Sequence, residues 1–450
     1  MTFAKRTNWD LRPNELAEAL AKHRASGKPL IDLTISNPTE CGFEYDTEAI
    51  LGALRNAEAL RYEPDPKGMR SAREAVAGYY ADRGDRVSPD DIFLTTSTSE
   101  AYSWVFRLLC DPGDEVLIPS PGYPLFDFLA DINDAKLVRY PLFYDHGWHY
   151  DMHALEQAIT PRTRAVMVVH PNNPTGNYCK PEEMRRLNEI CLAHGLAIVA
   201  DEVFLDYAID GQRRASFATN GTSGGIGSSG SSPDGSGTER GGRAQREPQE
   251  TAAERNEVEP KAPERSGPLT FTLSGLSKIC GLPQMKVAWL VVSGPEQEKA
   301  EAMGRLEMIS DTYLSLNAPV QLAVPALLRT RHGFQKHVLE RVRANVAEID
   351  RWLGVLAGGA AAGPTASGAE PAGTLTSRPS FGRQDGPSWE RLAVEGGWCA
   401  VLRARSVLWR GRCTAEDLLG HGVFVHPGSF YGLAAGDLAV TTLGSLRRRH

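Results

Sequence analysis

Lys278 is the residue in this chain most able to do covalent chemistry. It lies in the stretch Ser274–Lys286, SGLSKICGLPQMK, between the β-like run Leu269–Leu273 and the apolar run Val287–Val292. An ammonium held between two buried strands is costly unless it is paired or loses its charge; the plain alternative is a solvated loop lysine. Four further groups bear on the choice. Asp201 follows the apolar strand Leu196–Ala200, and Asn173 lies in His170-Pro171-Asn172-Asn173-Pro174-Thr175-Gly176 after the strand Ala165–Val169. The amphipathic helix Pro181–His194 joins these strands into a βαβ unit, and open α/β sheets collect ligands at the carboxyl ends of their strands. An aspartate after a strand can also be no more than a helix cap. Tyr123 sits in Pro119-Ser120-Pro121-Gly122-Tyr123-Pro124, a loop stiffened by three prolines after the strand Glu115–Ile118; a core tyrosine is the alternative there. The run Thr95-Thr96-Ser97-Thr98-Ser99 lies between the strand Ile92–Leu94 and the helix Glu100–Cys110. Hydroxyls and free N–H groups at a helix start suit phosphate, though one hydroxyl suffices for a cap without ligand.

One ligand would use all five groups: a planar, phosphorylated heterocycle bearing an aldehyde. The lysine amine condenses with the aldehyde. The aspartate keeps the ring nitrogen protonated, so the ring can accept carbanion electrons. The tyrosine stacks on the ring, the asparagine amide donates to the phenolic oxygen, and the helix start takes the phosphate. That ligand is pyridoxal 5′-phosphate.

At PSPGYPLF (119–126), HPNNPTG (170–176), DEVFLDY (201–207) and SGLSKICGLPQMK (274–286) the sequence resembles the class I/II aminotransferases, enzymes of fold type I. The resemblance runs from about Asn37 to Tyr431, apart from the two low-complexity stretches over 219–268 and 357–387. Lys278 follows Asp201 by 77 residues, or by 27 once the 50 residues of Thr219–Pro268 are set aside, close to the separation usual in the family. The resemblance implies an α/β fold with a mostly parallel central sheet flanked by helices, plus a smaller α+β domain. It implies transfer of an amino group from an amino acid to a 2-oxo acid through a Schiff base on Lys278. Ser97, Thr98, Ser99 and Lys286 would then hold the phosphate, Tyr123 would stack on the ring, and Asn173 and Asp201 would bind the phenolic oxygen and the ring nitrogen. Tyr62, in a Tyr-x-Pro-x-x-x-Gly loop, would reach the phosphate of a partner subunit, so a homodimer with shared active sites is implied. A β-lyase or decarboxylase on the same scaffold, and a catalytically impaired cofactor-binding protein, are the other readings.

The chain departs from the family pattern at four places. Lys286 replaces an arginine, keeping the charge but losing the bidentate fork. Phe204 replaces a tyrosine, removing a hydrogen bond to the phenolic oxygen. Gly275 stands where a serine is usual. The strand expected to carry the arginine for the substrate carboxylate reads Asp437-Leu438-Ala439-Val440-Thr441-Thr442-Leu443, without a basic residue, and Arg447–Arg449 come after it.

The elements that must carry these residues suit an ordinary soluble enzyme. Apolar residues make up 41% and charged ones 23%, enough for a sizeable core in 450 residues. A net charge of −7 without a basic cluster of groove size argues against nucleic acid. No apolar run approaches a membrane span, and Met1–Asp10 has no signal-peptide character. Seven scattered cysteines without a Cys-x-x-Cys pair indicate neither zinc nor a disulfide framework, so no metal is expected and the expected compartment is the cytoplasm.

Residues 1–45 read as an N-terminal arm contributing to the small domain, 46–296 as the large cofactor-binding domain, and 297–450 as an interdomain helix and small C-terminal domain. Composition collapses to Gly, Ser, Glu, Arg and Pro over 219–268 and to Ala, Gly, Ser and Pro over 357–387; both read as insertions disordered by composition. Periodicity predicts helices over Asn14–Ala25, Thr47–Leu60, Met69–Arg83, Glu296–Met308 and Arg329–Leu356. Leu392–Leu402 reads as one strand, and Val423–Tyr431 as a strand and tight turn.

Overall fold

The computed structural model describes residues 2–220, 267–357, 389–404, 414–434 and 436–444. Most of both low-complexity stretches and Arg447–Arg449 lie outside the described residues. From the N-terminus, α1 (Glu15–Ala25), β1 (Ile31–Asp32), α2 (Thr47–Ala53) and α3 (Arg70–Asp82) precede the main sheet. The sheet strands are β2 (Ile92–Thr95), β3 (Glu115–Ser120), β4 (Lys136–Tyr144), β5 (Trp148–Tyr150), β6 (Thr163–Val169), β7 (Ala197–Asp201), β8 (Thr270–Gly275) and β9 (Ala288–Ser293). Between them run α4 (Thr98–Leu109), α5 (Leu125–Ile132), α6 (Met152–Gln157), α7 (Pro181–His194) and the single turn α8 (Leu276–Ile279). Beyond lie α9 (Glu296–Tyr313), α10 (Ala318–Arg329) and α11 (Arg331–Ala357). The remaining elements are β10 (Trp389–Arg391), β11 (Cys399–Ala404), α12 (Ala415–Gly420), β12 (Val423–Phe424), β13 (His426–Pro427) and β14 (Leu438–Thr441).

The main sheet has the order β2-β9-β8-β7-β6-β3-β4-β5. β4, β3, β6, β7 and β8 form its parallel centre, and β5, β9 and β2 join antiparallel at the margins. Parallel strands are covered on both faces, so they read as unbroken apolar runs; β7 and β8 are buried at every position. One face packs against Trp104, Val105 and Phe106 of α4 and Leu306 of α9. The other carries Val76 and Tyr80 of α3 with Val324 and Leu327 of α10, and farther along Leu187 and Ile190 of α7. A second, antiparallel sheet, β10-β11-β14-β13, makes the smaller unit. β1 pairs in parallel with β12, which ties the N-terminal segment to that unit. The α/β class, the mostly parallel sheet and the small second unit agree with expectation.

Local boundaries differ for physical reasons. The helix expected over Thr47–Leu60 stops at Ala53, because the Asn56 side chain accepts from Glu58 N and caps a short 3-10 turn instead. The strand expected over Leu392–Leu402 begins only at Cys399; residues 392–398 form a connection between β10 and β11. Gly396 N donates to Gly176 O, and a Cβ at Gly396 would lie 2.6 Å from the Tyr178 hydroxyl and 2.8 Å from Tyr207 O. Arg329–Leu356 resolves into the end of α10 and a separate α11, parted at Thr330.

Candidate active site

Strand register lines up the polar residues. Asp201, the last residue of β7, pairs with Val169 on one side and Leu273 on the other. Two residues beyond Leu273, Gly275 pairs with Ala288, which pairs in turn with Thr95 at the end of β2. The chain segments bearing Asn173, Asp201, Lys278, Lys286 and the Thr95–Ser99 run therefore leave one edge of the sheet side by side.

Lys278 stands in α8, whose first turn follows β8 directly. Its carbonyl accepts a 2.5 Å hydrogen bond from the buried Tyr207 hydroxyl. Its amine makes no hydrogen bond or ion pair among the described residues. Instead Nζ lies 5.0 Å from the ring centre of Trp398 and 5.4 Å from that of Phe204. Burial pulls the amine below its usual pKa, while Cys399, Asp201 and Cys41 push the other way. Gly275, three residues earlier, is extended and packed on β9: a Cβ there would lie 2.9 Å from Ala288 Cα. A serine at that position would have to displace backbone, so the glycine belongs to this sheet contact.

Asp201 is buried, with Oδ2 accepting 2.8 Å from the Tyr102 hydroxyl and Oδ1 accepting 3.1 Å from Val203 N. It has no ion-pair partner among the described residues. Burial raises its pKa above the usual carboxylate range, against the pull of those two donors and of Lys278. Tyr102 was not anticipated from the sequence. It stands four residues after Thr98, and that spacing on a helix was the available signal.

The Asn173 amide has no hydrogen-bond partner among the described residues, and its Oδ1 is buried. Neighbouring Asn172 donates to Pro121 O (3.0 Å) and Thr175 Oγ1 (2.7 Å), fastening this loop to the one bearing Tyr123. His170 orders the same loop: Nδ1 accepts from Cys179 N (3.0 Å) and Nε2–H donates to Ala215 O (3.1 Å). Burial pushes this imidazole down to about 3, so it is neutral. The Tyr123 ring meets Phe126 edge-on at 5.9 Å and is 41% exposed, leaving one face open.

The hydroxyl run divides its work. Thr95 donates to Ser97 O, Thr96 donates to Glu100 Oε2, and Ser97 Oγ accepts from Glu100 N as the cap of α4. Thr98 and Ser99, in the first turn of this 12-residue helix, keep hydroxyls without partners among the described residues. Lys286 is exposed at φ +53°, two residues before the Ala288–Thr95 pair. Lys278 does not line the cavity that Tyr62 faces. Tyr62 is 83% exposed and lines this cavity of about 330 Å³ with Leu60, Pro64, Ser310 and Leu314. Ala439 is buried opposite Val401 and His426; His426 Nδ1 lies 2.8 Å from the Tyr431 hydroxyl.

These groups fit pyridoxal 5′-phosphate. A buried carboxylate without a counter-cation matches a protonated ring nitrogen. An unpaired amide suits the phenolic oxygen, an unbonded amine suits the aldehyde, and free hydroxyls at a helix start suit the phosphate. The described residues contain no cluster of three or more His, Cys, Asp or Glu able to hold a metal, and no helix long and apolar enough to cross a membrane.

Comparison with known proteins agrees. Residues 28–357 match the family described as aminotransferase class I and II. The glutamate-pyruvate aminotransferase of Escherichia coli (strain K12) is 29% identical over 321 residues, 71% of this chain and 68% of that protein. An alanine aminotransferase of Mycobacterium tuberculosis (strain H37Rv) is 26% identical over 71% of this chain and 65% of its own length. Among solved structures, an alanine aminotransferase from Pyrococcus furiosus superposes with a TM-score of 0.73 at 19% identity, covering 99% of this chain and 96% of that one.

Proposed function

This chain belongs to the class I and II aminotransferases, and on that premise we propose that Lys278 is the residue at which amino groups are exchanged, with Asp201, Asn173, Tyr123, Ser97, Thr98, Ser99 and Lys286 holding pyridoxal 5′-phosphate around it. The protein is a pyridoxal-phosphate-dependent enzyme that moves an amino group from an amino acid to a 2-oxo acid. The observation that carries the residue assignment is the pairing of Asp201 with Leu273, which sets a buried carboxylate without an ion-pair partner among the described residues one strand away from the turn bearing a partly buried, unbonded amine.

When bound, the cofactor supplies an aldehyde that condenses with amines and a ring that accepts electrons from the substrate carbon. The chain's own residues do the rest. Lys278 Nζ, held below its usual pKa by burial, has a neutral fraction that would take the proton from the substrate α-carbon and, as an ammonium, would give it up again. Asp201 holds a negative charge against the ring nitrogen, and Tyr102 and Val203 N keep it aimed. The Asn173 amide donates to the phenolic oxygen, and the open face of Tyr123 covers the ring. Thr98, Ser99, Lys286 and the free N–H groups of α4 take the phosphate. The cap role of Ser97 makes its contribution partly indirect, through the shape of that turn.

Tyr62 serves a second subunit in this reading. Its exposure, with exposed Leu60 and Leu314 lining the same cavity, supports a homodimer across that surface. The names of the relatives make alanine or glutamate with pyruvate or 2-oxoglutarate the first substrates to try. The free state of all six described cysteines supports a reducing, cytoplasmic setting.

The test mixes purified protein with pyridoxal 5′-phosphate and follows the absorbance of the bound cofactor as single amino acids are added. Conversion to the pyridoxamine form with release of a 2-oxo acid is expected. Pyruvate and ammonia without that conversion would assign a lyase, and bound-cofactor absorbance unchanged in Lys278→Ala would remove Lys278 from its role.

A further inference from the structure

The environment of the Lys278 amine is aromatic rather than ionic. Trp398 and Phe204 both lie within the range at which a ring face attracts a cation, 5.0 and 5.4 Å from Nζ. The rings are braced against each other: Phe204 meets Trp398 edge-on at 5.1 Å, and Tyr207 meets Trp398 edge-on at the same separation. Tyr207 closes the unit by donating to the Lys278 carbonyl, fixing backbone and amine from one cluster. Trp398 is only 2% exposed, yet its indole N–H has no hydrogen-bond partner among the described residues. A buried unpaired donor is a cost that phenylalanine would avoid. The indole ring nevertheless gives the strongest face for a cation among the aromatic side chains.

We propose that Trp398 and Phe204 form an aromatic clamp that stabilises the Lys278 ammonium formed when the released amine takes up a proton. Trp398 and Phe204 are then positioning residues, acting on the reaction through Lys278. The clamp opposes burial. The other titratable groups facing this amine are Asp201 from β7, Cys399 from β11 and Cys41 from the loop after β1. Asp201 becomes engaged once a protonated ring nitrogen is bound, and the two thiols are held neutral by burial. That leaves the ring faces as the stabilisation of the ammonium that cofactor binding does not remove. The proton the released amine takes up is thereby kept on Lys278 until it is returned. The proposal rests on the reading of Lys278 as the exchanging lysine for its consequence, though not for its physics.

The test reads the lysine itself. Full-length protein freed of cofactor is treated with acetic anhydride across a pH series, and acetylation at Lys278 is quantified by peptide mass spectrometry against a reference amine, giving its pKa. Trp398→Leu and Phe204→Leu are each expected to lower that pKa by about 0.5 to 1 unit, while Trp398→Phe stays within about 0.3 units of the parent. The sign is diagnostic. If the rings only fill space, leucine admits water beside the amine, desolvation is relieved and the pKa rises. A rise or no change in the leucine variants overturns the clamp. Phe204→Leu keeps the test decisive should Trp398→Leu not fold, since Phe204 is only partly buried. Failure of the Lys278 assignment shows separately, as cofactor absorbance unaltered in Lys278→Ala, and leaves the titration result standing.

Discussion

Replacing Tyr102 with phenylalanine isolates what a single hydroxyl does for Asp201. The two side chains are buried and joined by a 2.8 Å hydrogen bond from the phenol to Oδ2. Among the described residues one other donor, Val203 N at 3.1 Å, supports the carboxylate. A hydrogen bond to a charged group contributes about 1.5–3 kcal/mol, equivalent to roughly 1–2 pKa units. Burial already raises the Asp201 pKa, so losing the phenol moves it further the same way. A protonated Asp201 cannot hold a positive ring nitrogen. Cofactor affinity and kcat/KM therefore fall on the acid side, and the acid limb of kcat/KM against pH moves up by roughly 1–2 units in Tyr102→Phe. At neutral pH the cofactor dissociation constant rises on the order of tenfold. The ring itself remains packed against Phe126 at 5.3 Å, so thermal stability changes little. Spectrophotometric cofactor titration at pH 6, 7 and 8, run beside the pH–rate profile, measures both effects. An unmoved acid limb together with an unchanged dissociation constant would refute the assignment of Asp201 to the ring nitrogen through Tyr102.

Three further outcomes are expected. Lys286→Ala weakens cofactor binding about tenfold and Lys286→Arg strengthens it several-fold, measured by equilibrium titration, because a guanidinium adds a fork to the same charge; equal affinities would place Lys286 away from the phosphate. His170 stays neutral in the fold, pushed down to about 3 from an unfolded value near 6.5. Stability is thus fully present above about pH 6.5 and falls as pH drops toward 3, by up to about 1.4 kcal/mol per unit; denaturant midpoints against pH should lose that slope in His170→Gln. Joining Asn220 to Gly267 by a short Gly-Ser linker should leave cofactor absorbance and melting temperature within a few degrees of the parent. The two stems are already tied, since Asn220 Nδ2 donates to Thr270 Oγ1 (3.1 Å) and exchanges hydrogen bonds with Asn188, and closure entropy depends only weakly on loop length; loss of the fold would show that the segment does more than connect.

The residues most legible in the chain were those whose neighbours in sequence create their setting. Lys278 after an apolar run, Asp201 ending a buried strand and Asn173 between prolines each carry a local signature, and one sheet edge receives all three. The Tyr102 hydrogen bond, the Trp398 and Phe204 faces around the amine and the Tyr207 hydroxyl on the Lys278 carbonyl carry no such signature. Each joins elements from 71 to 120 residues apart, Tyr207 with Lys278 and Trp398 with Lys278 being the two extremes. Gly275 shows the same limit: in sequence it was only a missing serine, whereas its contact with Ala288 makes it part of the β8–β9 packing.

Taken alone, the sequence determined the α/β class, the family and the cofactor and singled out Lys278 as the candidate lysine, because hydrophobic period, turn chemistry and short motifs are local properties of a chain. The tertiary structure decided what surrounds that lysine: a carboxylate steadied by a helix tyrosine, two ring faces in place of an ion pair, and a buried Ala439 opposite His426 in the small sheet. Those depend on which strands pair and in what register, and a side chain's charge state follows from partners brought together only when the sheet closes.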